Sequence, residues 1–302
     1  MSERRSSVAI VMVLGSCVSL QFGAALATRV FPTSGPWGMS LMRLLLAGLV
    51  LALMAPPKLR GWNTTTWRWV LLHGITMGGM NAFFYASIDR IPLGTAVTFE
   101  FMGPLVLAAV LSQVPRDAIW VGLAVVGVVL LGVDSLVGIT LDPLGIGFAL
   151  SAGACWAAYI LVSRRVGALL SDQSGLAMAF LVGAVLVLPL GWQGATRIML
   201  DPAVLVLALA TALMGSLVPY TLELMALRRL PPRVFSILLS LEPAIAAMIG
   251  WLMIGQHLGW LQCIAMTCVV IASVGTSRTA AAPLPGIESD EDERSADQPA
   301  QA

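Results

Sequence analysis

The chain has 302 residues, of which 58% are apolar and 11% charged, with a formal net charge of +1 and a mean hydropathy of +0.89. An ordinary soluble domain carries about 25% charged residues, so a soluble core cannot absorb this much apolar surface and lipid is the solvent for most of the chain. The near-neutral charge balance gives no case for a nucleic-acid partner. The four cysteines, Cys17, Cys155, Cys263 and Cys268, sit in apolar runs without zinc, redox or disulfide spacing, as small packing residues do.

At about 20 apolar residues per crossing, the pattern predicts an all-α integral membrane protein of ten helices. They fall near 8–28, 38–55, 69–88, 93–112, 118–138, 143–163, 175–192, 203–226, 234–254 and 258–277. The first follows Arg4 and Arg5 and contains Ala25-Leu26-Ala27, a pattern shared with secretory signals. Cleavage there would remove a segment long enough to span and would break the repeat described below, so the helix is read as retained. Turn chemistry separates the spans: Pro32 to Pro36, Pro56-Pro57, Pro92, Pro115, Asp142-Pro143, Asp201-Pro202 and Pro231-Pro232. Such short connections leave no room for a soluble catalytic domain. The sequon at Asn63-Thr64-Thr65 falls on the cytoplasmic side and is read as silent. In the third span, Gly74-x-x-x-Gly78 reads as close helix packing and His73 as a structural imidazole. From Thr279 the chain turns to Pro283, Pro285 and the acidic run Glu288 to Glu293, the composition of a disordered tail.

Basic residues set the orientation. With the N-terminus in the cytoplasm, only Arg29, Arg90 and Arg197 fall on the far side and Arg43 lies within a span, which leaves thirteen of the seventeen Lys and Arg on the cytoplasmic side. Both termini are therefore expected there. Sliding the chain by 139 residues aligns Arg90-Ile91-Pro92 with Arg229-Leu230-Pro231, and Pro104 with Pro243. Five spans per half is an odd number, so the halves are expected to cross the membrane in opposite senses, as two inverted five-helix repeats with a site near the midplane. The boundaries are 1–138 for the first repeat, 139–278 for the second and 279–302 for the acidic cytoplasmic tail.

Four ionisable groups fall inside spans: Arg43, Glu100, Glu223 and Glu242. Each costs about 2.5–3.5 kcal/mol at a helix centre, on the order of 10 kcal/mol together, so they are expected to face a bundle interior or a watery cavity. Glu242 directly precedes Pro243, and Pro104 has no N–H for the carbonyl of Glu100, four residues earlier. Bent helices at matched positions suit a polar pocket. Substrate contact, proton coupling or a buried paired carboxylate are all open for Glu100 and Glu242. Arg43 could snorkel, or hold a carboxylate, or meet substrate. Glu223, near the cytoplasmic end, is expected to pair with Arg228 at the interface. Gln21, Asn81, Tyr85, Trp156, Tyr159 and Tyr220 also fall within spans, where interhelical hydrogen bonding or packing competes with a ligand role. No metal-ligand cluster, Walker loop or nucleophile elbow occurs, so neither metal nor cofactor is expected and ATP-driven transport by this chain alone is excluded.

Three stretches carry a family resemblance: GGMNAFFYASIDRIPLGTAVTFEFMGP (78–104), GACWAAYILVSRR (153–165) and VPYTLELMALRRLPPRVFSILLSLEPAIAA (218–247). They resemble the EamA branch of the drug/metabolite transporter superfamily, and within it the bacterial inner-membrane threonine/homoserine exporters, over residues 8 to 277. The resemblance implies ten spans in two inverted five-helix repeats, export of small amino acids or related metabolites across the cytoplasmic membrane, and drive from protons. The motif positions present are Gln21, Arg43, Asn81, Tyr85, Glu100, Trp156, Tyr159, Tyr220, Glu223 and Glu242. On this reading a zwitterion places its ammonium at Glu100 or Glu242 and its carboxylate at Arg43 or a broken-helix amide, with Tyr85, Trp156 and Tyr159 as walls. Expected partners are a small-molecule substrate, protons and the bilayer, with monomer and dimer both open. Other cargo, such as a purine, a cationic compound or another metabolite, remains an alternative. So do a lipid-modifying membrane enzyme and a channel or sensor.

Overall fold

The computed structural model describes residues 2–54, 56–57, 59–111, 117–137, 141–170, 173–227, 229, 232–257 and 259–279. The acidic segment expected as a tail lies outside them from residue 280, as does Arg228, the expected partner of Glu223. Among the described residues there is no strand: the chain forms helices joined by short turns.

The first helix, α1 (Ser2–Met54), covers two of the expected spans. Its one non-helical residue is Gly35, at φ 65 and ψ 168, flanked by Pro32 and Pro36. At about 1.5 Å per residue, a straight helix would hold residues 19 and 43 roughly 36 Å apart. Yet Ser19 donates to the Met214 carbonyl while Arg43 donates to the Gly215 carbonyl. The chain therefore folds back at Gly35, where a positive φ suits glycine, into a first arm (2–34) and a second arm (36–54).

Five helices follow: α2 (Thr64–Ile88), α3 (Leu93–Glu100), α4 (Met102–Leu111), α5 (Asp117–Val137) and α6 (Pro143–Leu169). Then come α7 (Ser174–Leu200), α8 (Pro202–Ala212), a π-helical turn over Leu213–Leu217, and α9 (Val218–Leu227). The chain ends with α10 (Pro232–Leu239), α11 (Glu242–Ile249), a second π turn over Gly250–Ile254, and α12 (Trp260–Thr279). Helix starts obey local chemistry. Asn63 of the sequon caps α2 by accepting from the Thr66 N–H at 2.8 Å, while Asp142 and Asp201 cap α6 and α8 with proline in the first turn. Three expected single spans are broken: 93–112 into α3 and α4, 203–226 by a π turn, and 234–254 into α10, α11 and a π turn.

Among the described residues, four helical stretches are long and apolar enough to cross a membrane: Val8–Met54, Pro143–Leu169, Ser174–Leu200 and Pro202–Glu223. Large apolar side chains such as Leu53, Val110, Leu200 and Trp260 point outward, while Gln21, Arg43, Asn81, Glu100, Glu242 and Gln262 are buried. Polar groups inside and apolar groups outside is the arrangement lipid demands.

Glycines set the crossings. Against α7 lie the second arm, through Gly38 on Gly194, and α2, through Gly74 on Val182 and Gly78 on Gly183. The Gly74-x-x-x-Gly78 motif is thus a packing face. The first arm meets the first π turn through Gly23 on Gly215, and α4 meets α6 through Gly103 on Gly153. Further pairings join α2 to α6, α5 to α12, and α3 to α11. At one end of the bundle Arg90 pairs with Asp142 at 2.9 Å, and Gln256 accepts from the Leu93 N–H at 3.0 Å.

Candidate functional site

The two proline-containing breaks bring their acids to one place. Pro104, lacking an N–H, sits where a helix would serve the Glu100 carbonyl, and the chain turns at Phe101 between α3 and α4. Gly153 of α6 lies against that carbonyl, so close that a Cβ built there would be 2.5 Å from the oxygen. In the other half the break falls at Ser240 and Leu241, directly before Glu242 and Pro243. Glu100 and Glu242 both reach a cavity of about 180 Å³ between the halves. An engineered apolar cavity of about 150 Å³ admits benzene, so this one accepts a small organic molecule.

Its lining comes from seven helices: Leu20, Gln21 and Ala24 on the first arm, Arg43 on the second, and Met80, Asn81 and Phe84 on α2. Glu100 belongs to α3, Trp156 and Tyr159 to α6, Pro219, Tyr220 and Glu223 to α9, Leu239 to α10 and Glu242 to α11. Eight of the nine residues singled out as substrate contacts are therefore in the lining. The ninth, Tyr85, stands behind Arg43. It is fully buried, accepts from Arg43 Nη1 at 3.2 Å, and its ring centre lies 5.3 Å from the guanidinium carbon.

Arg43 does not snorkel. It is buried, and its Nε donates to the Ser216 hydroxyl at 3.1 Å while Nη2 donates to the Gly215 carbonyl. A π turn widens the helix and is favoured at functional sites. Here it supplies both partners, and Gly215 leaves room for the guanidinium: a Cβ there would meet its carbon at 3.2 Å. Three of the five N–H groups of an arginine are thus engaged, which leaves others over for a ligand. Among the described residues Arg43 has no carboxylate within 4.0 Å, since the one ion pair is Arg90 with Asp142.

The three acids differ in their protein partners. Glu242 accepts from Gln21 Nε2 at 2.8 Å, and Glu223 accepts from the Ser16 hydroxyl at 2.6 Å. Glu100, only 9% exposed, makes no hydrogen bond to the described residues. It lies within electrostatic reach of both Glu242 and Arg43. Aromatic rings close the walls: Trp156 packs edge-on against Phe101, and Tyr220 edge-on against Phe180. His73 stacks on Tyr159 at 5.1 Å with both ring nitrogens buried and unpartnered, and it does not line the cavity.

The expected pairing of Glu223 with Arg228 lies outside the described residues. The fold brings Glu223 to the cavity lining, where it accepts from a serine 207 positions away. Ser16, Gly215 and Ser216 were missed. Ser16 lies three positions before Ser19, which also hydrogen-bonds across this interface, and two polar residues at helical spacing in an apolar run were the available signal. Nothing in the sequence marks the π turn.

A helical bundle with an apolar exterior and an interior cavity into which charged side chains project is the architecture of a membrane carrier. The EamA-like transporter family matches residues 143–278. The chain is 40% identical over 274 residues to the threonine/homoserine exporter RhtA of Escherichia coli (strain K12), covering 89% of this chain and 91% of the relative. The exporter RhtA of Salmonella typhimurium (strain LT2) matches to the same extent. An uncharacterized transporter of Bacillus subtilis (strain 168), YwfM, is 29% identical over 239 residues, 75% of this chain and 80% of that protein. A crystal structure at 16% identity shares the fold, with a TM-score of 0.51 over 90% of this chain and 99% of the other. This chain belongs to the EamA-like family of the drug/metabolite transporter superfamily.

Proposed function

We propose that this protein is a secondary exporter of small amino acids of the threonine and homoserine type. It acts in the bacterial cytoplasmic membrane by alternating access, in exchange for protons, with both termini in the cytoplasm. The observation that carries the reading is one cavity faced by a carboxylate without a partner among the described residues, Glu100, and a guanidinium with N–H groups to spare, Arg43. A zwitterion presents the complement of that pair. Its ammonium meets Glu100 and its carboxylate meets Arg43, while Trp156, Tyr159 and Tyr220 bound the side chain.

A plan of ten spans in two inverted repeats is supported by the pairings. Under exchange of halves, the packing of α2 on α6 corresponds to that of α1 on α8 and α9, where Gly15 and Gly23 of the first arm meet Leu222 and Gly215. Likewise the packing of α3 and α4 on α6 corresponds to that of α10 and α11 on the first arm, and α5 on α12 to itself. Substrate sites between such halves suit rocking of one against the other. Glu100 and Glu242 are the proton-coupling candidates, because a carboxylate in a site of low polarity exchanges its charge for a proton as surroundings change.

The test is efflux of labelled homoserine and threonine from loaded proteoliposomes, with and without an imposed pH gradient. The wild type is expected to respond to the gradient. Glu100→Gln is expected to lower efflux about 10–100-fold, the loss of a charged hydrogen bond of about 1.5–3 kcal/mol. Glu242→Gln is expected to weaken the response to pH. Unchanged gradient dependence in both variants removes the coupling role, and efflux of dyes without amino acids would replace the cargo.

A further inference from the structure

The cavity holds more acceptors than a neutral amino acid can satisfy. Glu100 has no donor, Glu242 and Glu223 each have a donor on one oxygen, and Gln21 Oε1 is buried, 2% exposed by residue, without any partner. All four side chains line the same space, and among the described residues that line it the one cation is Arg43, whose Nη2 and Nε are already turned to Gly215 and Ser216. Three carboxylates face one guanidinium. Carboxylates bind charged N–H donors most strongly, and three of them line this cavity, so the site is built for a ligand richer in N–H than a zwitterion with one ammonium.

We propose that the site also exports short diamino acids, molecules with one carboxylate and two ammonium groups. This inference rests on the amino-acid export reading and extends it. The α-carboxylate takes the free N–H groups of Arg43, and the α-ammonium sits at Glu100. The side-chain ammonium lies between Glu242 and Glu223, which are within electrostatic reach of each other. The cavity of about 180 Å³ sets the length. 2,4-Diaminobutyrate has the same number of non-hydrogen atoms as homoserine, with an ammonium in place of the hydroxyl. It therefore fits wherever homoserine fits and adds the charge that the third carboxylate calls for.

The experiment is counterflow in proteoliposomes of phosphatidylethanolamine and phosphatidylglycerol containing the full-length protein. Trapped unlabelled homoserine is exchanged against external labelled homoserine or labelled 2,4-diaminobutyrate. Both labels are expected to enter, the diamino acid at no less than one third of the homoserine rate. Glu223→Gln is expected to lower the diaminobutyrate-to-homoserine rate ratio at least tenfold, and Glu223→Asp to restore it within threefold. Homoserine exchange without entry of, or competition by, the diamino acid overturns the proposal and leaves the export reading standing. A ratio unmoved by Glu223→Gln overturns the assignment of the second ammonium. If homoserine does not exchange, thermal stabilisation of the purified protein by 2,4-diaminobutyrate alone keeps the diamino site and discards the parent cargo. Stabilisation by neither discards both.

Discussion

The broken rods α3/α4 and α10/α11 share a proline at matched positions, Pro104 and Pro243, yet they carry their acids one helical turn apart. At the offset of 139, Glu100 stands opposite Leu239 and Glu242 stands opposite Gly103. Glu100 and Leu239 both line the cavity, so the matched positions share a place but not a chemistry. Gly103 instead packs backbone to backbone on Gly153, whereas its counterpart Glu242 projects inward and is held by Gln21. The backbone break is what the two halves have in common. The charges were placed on it separately, one with a protein partner and one without.

That contrast can be broken most severely at Gly103. A Cβ there would lie 1.9 Å from the Gly153 carbonyl oxygen, and no flexible side chain stands in between to yield. Alanine in a helix ordinarily gains about 0.5–1 kcal/mol over glycine; here the clash reverses the sign. Gly103→Ala is expected to cost about 4 kcal/mol or more and to abolish the monodisperse peak in size-exclusion chromatography. Glu242→Ala, at the matched position, is expected to retain that peak. Equal losses would show that the two breaks are packed alike.

A smaller effect separates the partnered acid from the unpartnered one. Gln21→Leu removes the donor to Glu242 and leaves a buried carboxylate alone, which is expected to lower stability by about 1–3 kcal/mol. Glu100→Gln removes a buried group that has no donor to lose, and its thermal midpoint is expected to stay level or rise while transport falls, as at sites where function opposes stability. Thermal unfolding of both variants in one detergent reads the difference.

The smallest effect belongs to the rim, where a pair of charges is exposed to water. Arg90 and the Leu144 N–H hold the Asp142 carboxyl below its ordinary value. A depressed carboxyl contributes stability above its unfolded value and loses it as pH falls through its folded value. Between pH 6 and 3 the wild type is therefore expected to lose a little more stability than Asp142→Asn, and the two curves are expected to meet at the acid end. Exposed pairs are weak, so a large gap would mean that this contact latches the bundle end.

Much of the site was legible because charge in an apolar run is expensive. Arg43, Glu100 and Glu242 stood out for that reason, and the polar residues Gln21, Asn81, Trp156, Tyr159 and Tyr220 followed from the same logic. Tyr85 was found but misplaced by one layer, since a tyrosine that lines a cavity and one that props an arginine look the same in a span. That Glu223 reaches the cavity was not legible, because its distance from a helix end says nothing of the face it occupies. Helix breaks at Pro104 and Pro243 were readable from the missing N–H, whereas the π turns were not: the first lies against Gly23 and the Arg43 guanidinium, partners that are distant in sequence.

The amino-acid order by itself determined the solvent, the helices and the short list of groups that lipid could not tolerate, because each follows from local composition and transfer cost. Only the tertiary structure decided which of those groups meet. Ser16 finds Glu223, Gln21 finds Glu242, and Glu100 is left open, because pairing depends on helix rotation and on crossings set by single glycines. Those contacts join positions as far as 221 residues apart, and no local pattern encodes them.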